Sequence, residues 1–336
     1  MRLAALCLAL ILPAAATAQS AAELVQNAVS QHIVPRYDAL AAAGARLKAA
    51  AEDDCAADAQ GLRAAWNDAF DAWISASHLR FGPAETGDRA FALAFWPDTR
   101  DITPRTLRGL ISSADPVAGS AEDYADVSIA ARGFYALELM LYDPDIQALG
   151  DAAYRCQLVQ VMSADIANVT AAIASGWHDG YAETMMHADG GPYRGTDEAL
   201  QELFKALTYG LEFTADTRLG RPLGTFDAPR PKRAEAWRSG RSLRNVVLSL
   251  EALRDLGVLL AAPDAQMADA LGTTFDVALG DAEALDDPVF AGVADPVGRL
   301  RVESLQQSIG HVREIVRDDL GPALGVASGF NAMDGD

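Results

Sequence analysis

Lysine is almost missing from this chain: three of its 27 basic residues are lysines (Lys48, Lys205, Lys232) and the rest are arginines. Arginine presents a planar fork of donors suited to bidentate carboxylate pairing, although a genome's base composition produces the same skew. Positive charge is scarce in total as well. Against 47 acids it leaves a net charge of −20 and a pI near 4.5. Nucleic acid is thereby excluded as a partner, because neutralising phosphates needs clustered Lys and Arg. Beyond residue 18 no charge-free apolar stretch reaches the roughly 20 residues of a membrane span, so none is expected in the mature chain. Strand-like alternation of apolar and polar residues is also wanting. What is present is 50% hydrophobic residues over 336 positions. That suffices for a sizeable core, excludes a disordered or fibrous chain, and suggests two domains or one large one.

The first segment, residues 1–18, has the make-up of a secretory signal. Arg2 supplies the positive start, Leu3 to Leu12 the apolar run, and Ala16-Thr17-Ala18 a small-residue cleavage site. We therefore expect a soluble, periplasmic mature chain beginning near Gln19. Cys7 leaves with the signal, and two cysteines remain, Cys55 and Cys156. An even pair in an oxidising compartment is most simply a disulfide, and their wide separation does not suit a thiolate metal site.

Apolar residues recur at helical spacing through most of the chain. Leu62, Trp66, Ala69, Trp73 and Ala76 mark one face of a helix over 58–80, with Asp58 as its cap and Gly82-Pro83 as its stop. Residues 21–50 are Ala-rich and periodic, with Pro35 expected to kink or break them. Helices are predicted over 121–142 and 147–175, then over 196–218, 232–260, 265–280 and 296–319. Between the two sets the stretch GWHDGYAETMMHADGGPYRGT (176–196) carries five glycines and a proline, the composition of a connection. Four helices, a joint and four more predict an all-α fold of two four-helix bundles, over 19–190 and 191–336.

Catalytic motifs are few. There is no GxSxG, no phosphate-cradling glycine loop and no HExxH among the five histidines, His32, His78, His178, His187 and His311. His311 and Glu314 form an HxxE on the last helix, surrounded by charges that mark a solvated face. Met185-Met186-His187 with His178 is a conceivable soft-metal cluster, set in a connection that would hold ligands poorly.

Several segments in order resemble the imelysin family of exported bacterial proteins: AWNDAFDAWISASHLRFGP (65–83), FWPDTRD (95–101), ARGFYALELMLYD (131–143), TRLGRPLG (217–224), PKRAEAWRSGRSLRN (231–245) and GFNAMDGD (329–336). The resemblance implies two helical bundles packed together, a periplasmic or cell-surface setting and an association with iron uptake. The family's hallmark is GxHxxE on a helix, in which His and Glu share a face and can share a metal. Here the stretch is Gly133-Phe134-Tyr135-Ala136-Leu137-Glu138, with Tyr135 at the His position. A phenol is a poor ligand for a divalent ion, although ferric iron accepts a tyrosinate. The change either removes the metal site or retunes it toward Fe(III), and a plain hydrogen-bonded pair of Tyr135 and Glu138 is the alternative.

One local reversal of charge stands out. From Arg218 to Arg254 there are nine basic residues and three acids (Asp227, Glu235, Glu251), a net +6. Arg238, Arg241 and Arg244 recur every three residues on the predicted helix. They either pair with carboxylates of the first bundle and lock the two together, or form an anion site. Arg80 and Arg100 are further anion candidates. The expected site therefore comprises Tyr135 and Glu138, as metal or hydrogen-bonding groups, with Arg80, Arg100, Arg238 and Arg241 as clamps. It would hold iron, an iron chelate or a haem-like ligand in a monomeric, non-enzymatic protein of iron acquisition. The alternatives are a metal-dependent peptidase with a degenerate site and a ligand-free scaffold that docks another envelope protein.

Overall fold

The structure, a computed structural model, describes residues 20–326. The signal-like segment 1–18 and the tail GFNAMDGD lie outside the described residues. Within them the chain is helical with no strand, only isolated bridges at Gly190–Tyr193 and Thr225–Ala228.

The first long helix, α1, runs over 21–53. It is α-helical at Ala21–Asn27 and Val34–Asp53, with a π-helical turn at Ala28–Ile33 between them. Pro35 neither breaks nor ends it. The proline falls in the first turn after the wider π segment, which takes up the misfit of a residue that cannot donate a backbone hydrogen bond. Helix α2 (Gln60–Ala76) buries the anticipated face of Leu62, Trp66, Ala69, Trp73 and Ala76, but starts from Ala59 without a side-chain cap. Helix α3 (Ile102–Ser113) leads to α4 (Gly133–Tyr142), which is shorter than the predicted 121–142 because the chain is irregular before Gly133. Every residue of α4 from Gly133 to Leu141 is buried. Helix α5 (Ala152–Gly176) follows, capped by the Asp151 carboxylate. The end of α1, with α2, α4 and α5, makes the first bundle.

The anticipated joint is largely helical. A π turn (Trp177–Tyr181) kinked at Gly180 and a short helix (Ala182–His187) continue α5, and only 188–195 is a true connection. By length and composition the run Ala152–His187 could span a membrane, yet 56% of its apolar window is buried inside the protein. That burial marks it as a core helix. The second bundle consists of α6 (Thr196–Glu212), α7 (Ser242–Ala261), α8 (Ala265–Ala284) and α9 (Pro296–Ile315). The predicted helix over 232–260 is corrected at its start. Residues 234–241 form turns, with Ala236 and Gly240 at positive φ, and α7 begins only at Ser242.

Helix α1 belongs to both halves: its first turns pack on α6 and α7, and its remainder on α2 and α5. Arg36, just past the π turn, pairs with Asp255 of α7 at 2.8 Å. Cys55 and Cys156 are joined by a disulfide with Cα atoms 5.2 Å apart, tying the chain after α1 to α5.

Candidate functional site

Helix α4 begins at a point where only glycine fits. Gly133 has φ +73°, and a Cβ there would lie 2.2 Å from the Leu93 carbonyl oxygen and 2.4 Å from that of Ala92. This close approach fixes the helix so that Tyr135 and Glu138, at i and i+3, both face the seam between the bundles. Phe70 of α2 backs the pair, stacking on Phe134 and meeting Tyr135 edge-on.

Across the seam lies the irregular stretch 234–241. Tyr135 donates its phenol hydrogen to Glu235 Oε1. Burial first, and the Glu235 carboxylate next, push the phenol's pKa well above its ordinary value. The other oxygen of Glu235 accepts from Arg218 Nε at 2.8 Å and Asn245 Nδ2 at 3.0 Å. Arg218 also reaches Thr214 (3.3 Å) and Ser249 (3.2 Å) of the second bundle and Ser77 (3.4 Å) of the first. Arg218 and Glu235 are only 3% and 1% exposed, so this is a fully buried ion pair satisfied on every side.

Glu138 is held separately. Its Oε1 accepts from the backbone N–H of Ser239 at 2.9 Å and from the Ser239 hydroxyl at 2.8 Å. Burial raises its pKa, opposed by the Ser239 donors and by Arg238. The two residues expected to share a metal thus turn to different partners. Tyr135 keeps its proton and spends it on Glu235, and this arrangement does not fit a divalent ion. Among the described residues no group of three or more His, Cys, Asp or Glu is placed to hold a metal.

The three arginines Arg238, Arg241 and Arg244 each meet a carboxylate of the first bundle. Arg238 pairs with Asp143 at the end of α4 (2.6 Å) and lies over the Trp237 ring at 4.5 Å. Arg241, buried, donates to Asn67 at 2.6 Å and to Asp71, both on α2, beneath the rings of Trp66 and Phe70. Arg244 joins it on Asp71. Arg238 stands near Glu138 in the same cavity wall, whereas Arg241 is committed to fastening the bundles. Neither projects from a helix, since both precede α7.

Two cavities open on this seam. One, of about 410 Å³, is lined by Tyr135, Glu138, Arg238, Trp96 and Arg221 among others. The second, of about 630 Å³, is more aromatic and lies on the far side of Trp96 and Tyr135, which line both and stack at 6.1 Å. Arg80 lines this second cavity, paired with Glu85 (2.6 Å) and over Phe91. Arg100 lines neither and is exposed. His311 is exposed and bonded to Glu314, and His187 is exposed and bonded to Glu183. His178 pairs with Asp38 on α1 at 2.7 Å, and Met185 is buried, so no soft-metal cluster forms. Sequence reasoning passed over Glu235, Arg218, Arg221 and Trp96. The signal available for Glu235 was its position as one of three acids inside the basic stretch.

The geometry defines a class: an all-α protein of two bundles with a polar cavity at their seam and a GxxxxE helix at its wall. The imelysin family model matches residues 33–316, and the chain belongs to that family. Two solved structures share the fold. An imelysin-like protein from Psychrobacter arcticum 273-4 aligns with TM-score 0.78 and 21% identity, over 94% of this chain and 98% of that one. A protein described as an iron-regulated protein A precursor, from Parabacteroides distasonis ATCC 8503, aligns with TM-score 0.74 and 16% identity, over 89% and 95%. No curated protein matches the sequence.

Proposed function

We propose that this imelysin-family protein is a non-catalytic, exported binding protein of iron acquisition that receives an iron chelate in the cavity between its bundles. The observation that carries the reading is the 410 Å³ cavity itself, in which Tyr135 and Glu138 of one bundle meet Arg238 and Arg221 of the other. Ligand sites concentrate at such interfaces, with few polar groups converging on a concave wall. A chelate is favoured over a bare ion because Tyr135 and Glu138 are both spoken for by protein donors and acceptors. Iron enters the reading through the description of the Parabacteroides protein as iron-regulated. Export is supported by the signal-like first 18 residues and by the disulfide, which persists in oxidising compartments.

The test is calorimetric titration of the purified protein with ferric citrate and with haemin. Binding of one of them, weakened in Glu138→Ala and Arg238→Gln, supports the reading. Equal affinity in both variants, or no binding of either compound, overturns it.

A further inference from the structure

The basic stretch from 218 to 254 is not uniformly neutralised. Arg218, Arg238, Arg241, Arg244 and Arg254 each meet a carboxylate. Arg221, Arg230, Lys232 and Arg233 have no ion pair among the described residues. Three of these four, Arg221, Lys232 and Arg233, line the same 410 Å³ cavity.

Arg221 differs from Arg36 and Arg241, whose Nε atoms are likewise covered and unpartnered: those two reach carboxylates through their other nitrogens, and Arg221 has no ion pair among the described residues. It is half-buried, its Nε is wholly covered and has no hydrogen-bond partner, and its neighbour Arg233 carries the same sign. Leaving a covered guanidinium donor unpaired beside a like charge costs free energy, which natural structures tolerate mainly where function requires it. Aromatic faces hold these cations in place without consuming their N–H groups. Arg221 lies over Trp96 at 5.8 Å and Lys232 over Trp237 at 5.7 Å.

The acids in the same cavity do not neutralise the cluster. Asp98 accepts the backbone N–H groups of Arg100 (3.2 Å) and Thr103 (2.7 Å). Glu138 is taken by Ser239, and burial favours its uncharged form. Asp101 is exposed and has no ion pair among the described residues.

We infer that Arg221 and Arg233, with Lys232 at the rim, form an oxyanion subsite that takes a carboxylate of the ligand. This rests on the reading that the cavity is a ligand site and names the chemistry of that ligand: a small polycarboxylate, bound through the basic residues of the cavity that Glu138 also lines. A guanidinium fork pairs with a carboxylate bidentately, which gives such a subsite both affinity and orientation.

The test uses metal-free citrate and, separately, inorganic phosphate, titrated calorimetrically into the full protein at about 50 mM salt, where exposed charges are weakly screened. Citrate is expected to bind, with Arg221→Gln and Arg233→Gln each weakening it at least ~10-fold, the scale of a lost charge-assisted hydrogen bond. Arg254→Gln, whose partner Asp276 is on α8, is expected to leave it unchanged. Phosphate binding that depends on the same two arginines supports the subsite and extends it to oxyanions generally. Arg221→Gln also removes the unpaired charge, so the variant should melt no lower than the parent, and loss of binding cannot then be assigned to misfolding.

Unchanged citrate and phosphate affinity in both variants, or no anion binding by the parent, overturns the subsite. The two readings fail separately. If the arginine variants lose metal-free citrate while Glu138→Ala and Arg238→Gln leave ferric citrate untouched, the subsite stands and the chelate reading falls.

Discussion

Tyr135 and Glu235 stand one hundred residues apart in the chain, on opposite bundles, and share a buried hydrogen bond across the seam. The tyrosine occupies the histidine position of the family hallmark, and the glutamate uses its other oxygen for Arg218. A position that in the hallmark serves a metal here serves the contact between bundles.

Restoring the histidine should reverse that exchange. Tyr135→His places an imidazole at i with Glu138 at i+3 and the Glu235 carboxylate close by. We expect its affinity for Zn²⁺, measured by calorimetry at neutral pH, to exceed the parent's by an order of magnitude or more. Equal affinity of parent and variant would show that the seam cannot be rebuilt into a metal site by this residue alone.

The buried pair of Arg218 and Glu235 sets up a second expectation. Arg218→Met strands a carboxylate in the interior and should cost about 3–5 kcal/mol in urea denaturation. The double variant Arg218→Met/Glu235→Gln removes both charges while retaining an acceptor for Tyr135, and should recover a large part of that loss. A double variant no more stable than Arg218→Met would mean that the charge of Glu235 is not the source of the cost.

Two buried histidines predict how stability depends on pH. His32 in the π turn of α1 and His78 after α2 share a hydrogen bond, Nε2 to Nε2, at 2.8 Å. Burial is the chief reason that His32 titrates well below the ordinary range and that His78 falls to about 3. Both rings are neutral in the folded protein, one donating and one accepting. Below pH ~6.5 the unfolded chain binds protons that the folded chain refuses, so stability falls as pH drops and is fully present above that point. The slope contributed by each histidine approaches about 1.4 kcal/mol per pH unit. Denaturation between pH 7 and 4 should show a shallower fall for His32→Leu/His78→Leu; equal slopes would remove the histidines from the explanation.

The disulfide should matter for stability and not for the cavity. Replacing Cys55 and Cys156 by alanine frees a link between positions 101 apart and is expected to cost about 2–5 kcal/mol. Both cysteines lie away from the residues lining the seam, so citrate titration of the variant, at a temperature where it remains folded, should match the parent. A weaker titration with an intact fold would tie the disulfide to the site.

Periodic apolar faces were readable because burial repeats with the helix: Leu62, Trp66, Ala69, Trp73 and Ala76 are all interior. The same rule overextended α7 to residue 232, since nothing local marks Ala236 as a positive-φ position. That turn is imposed from afar, by Tyr135, Arg218 and Asn245 drawing Glu235 inward and by Ser239 meeting Glu138. Gly133 and Glu138 could be found as parts of a motif, and Arg238 as part of a charge pattern. Arg221 could not, because what distinguishes it is the lack of a partner, and a sequence does not say which four of nine cations go unpaired.

The rod formed by α1 sets how the seam can be reached. A clamshell motion would have to bend that helix, or peel its first turns from α6 and α7, and would also break Arg36 from Asp255. The two halves are therefore splinted on either side of the cavity at the seam. Any change in the cavity's opening is left to side-chain rotation and to the short helical turns bearing Arg221 and Arg233, motions of nanoseconds to microseconds, far quicker than the rocking of whole domains.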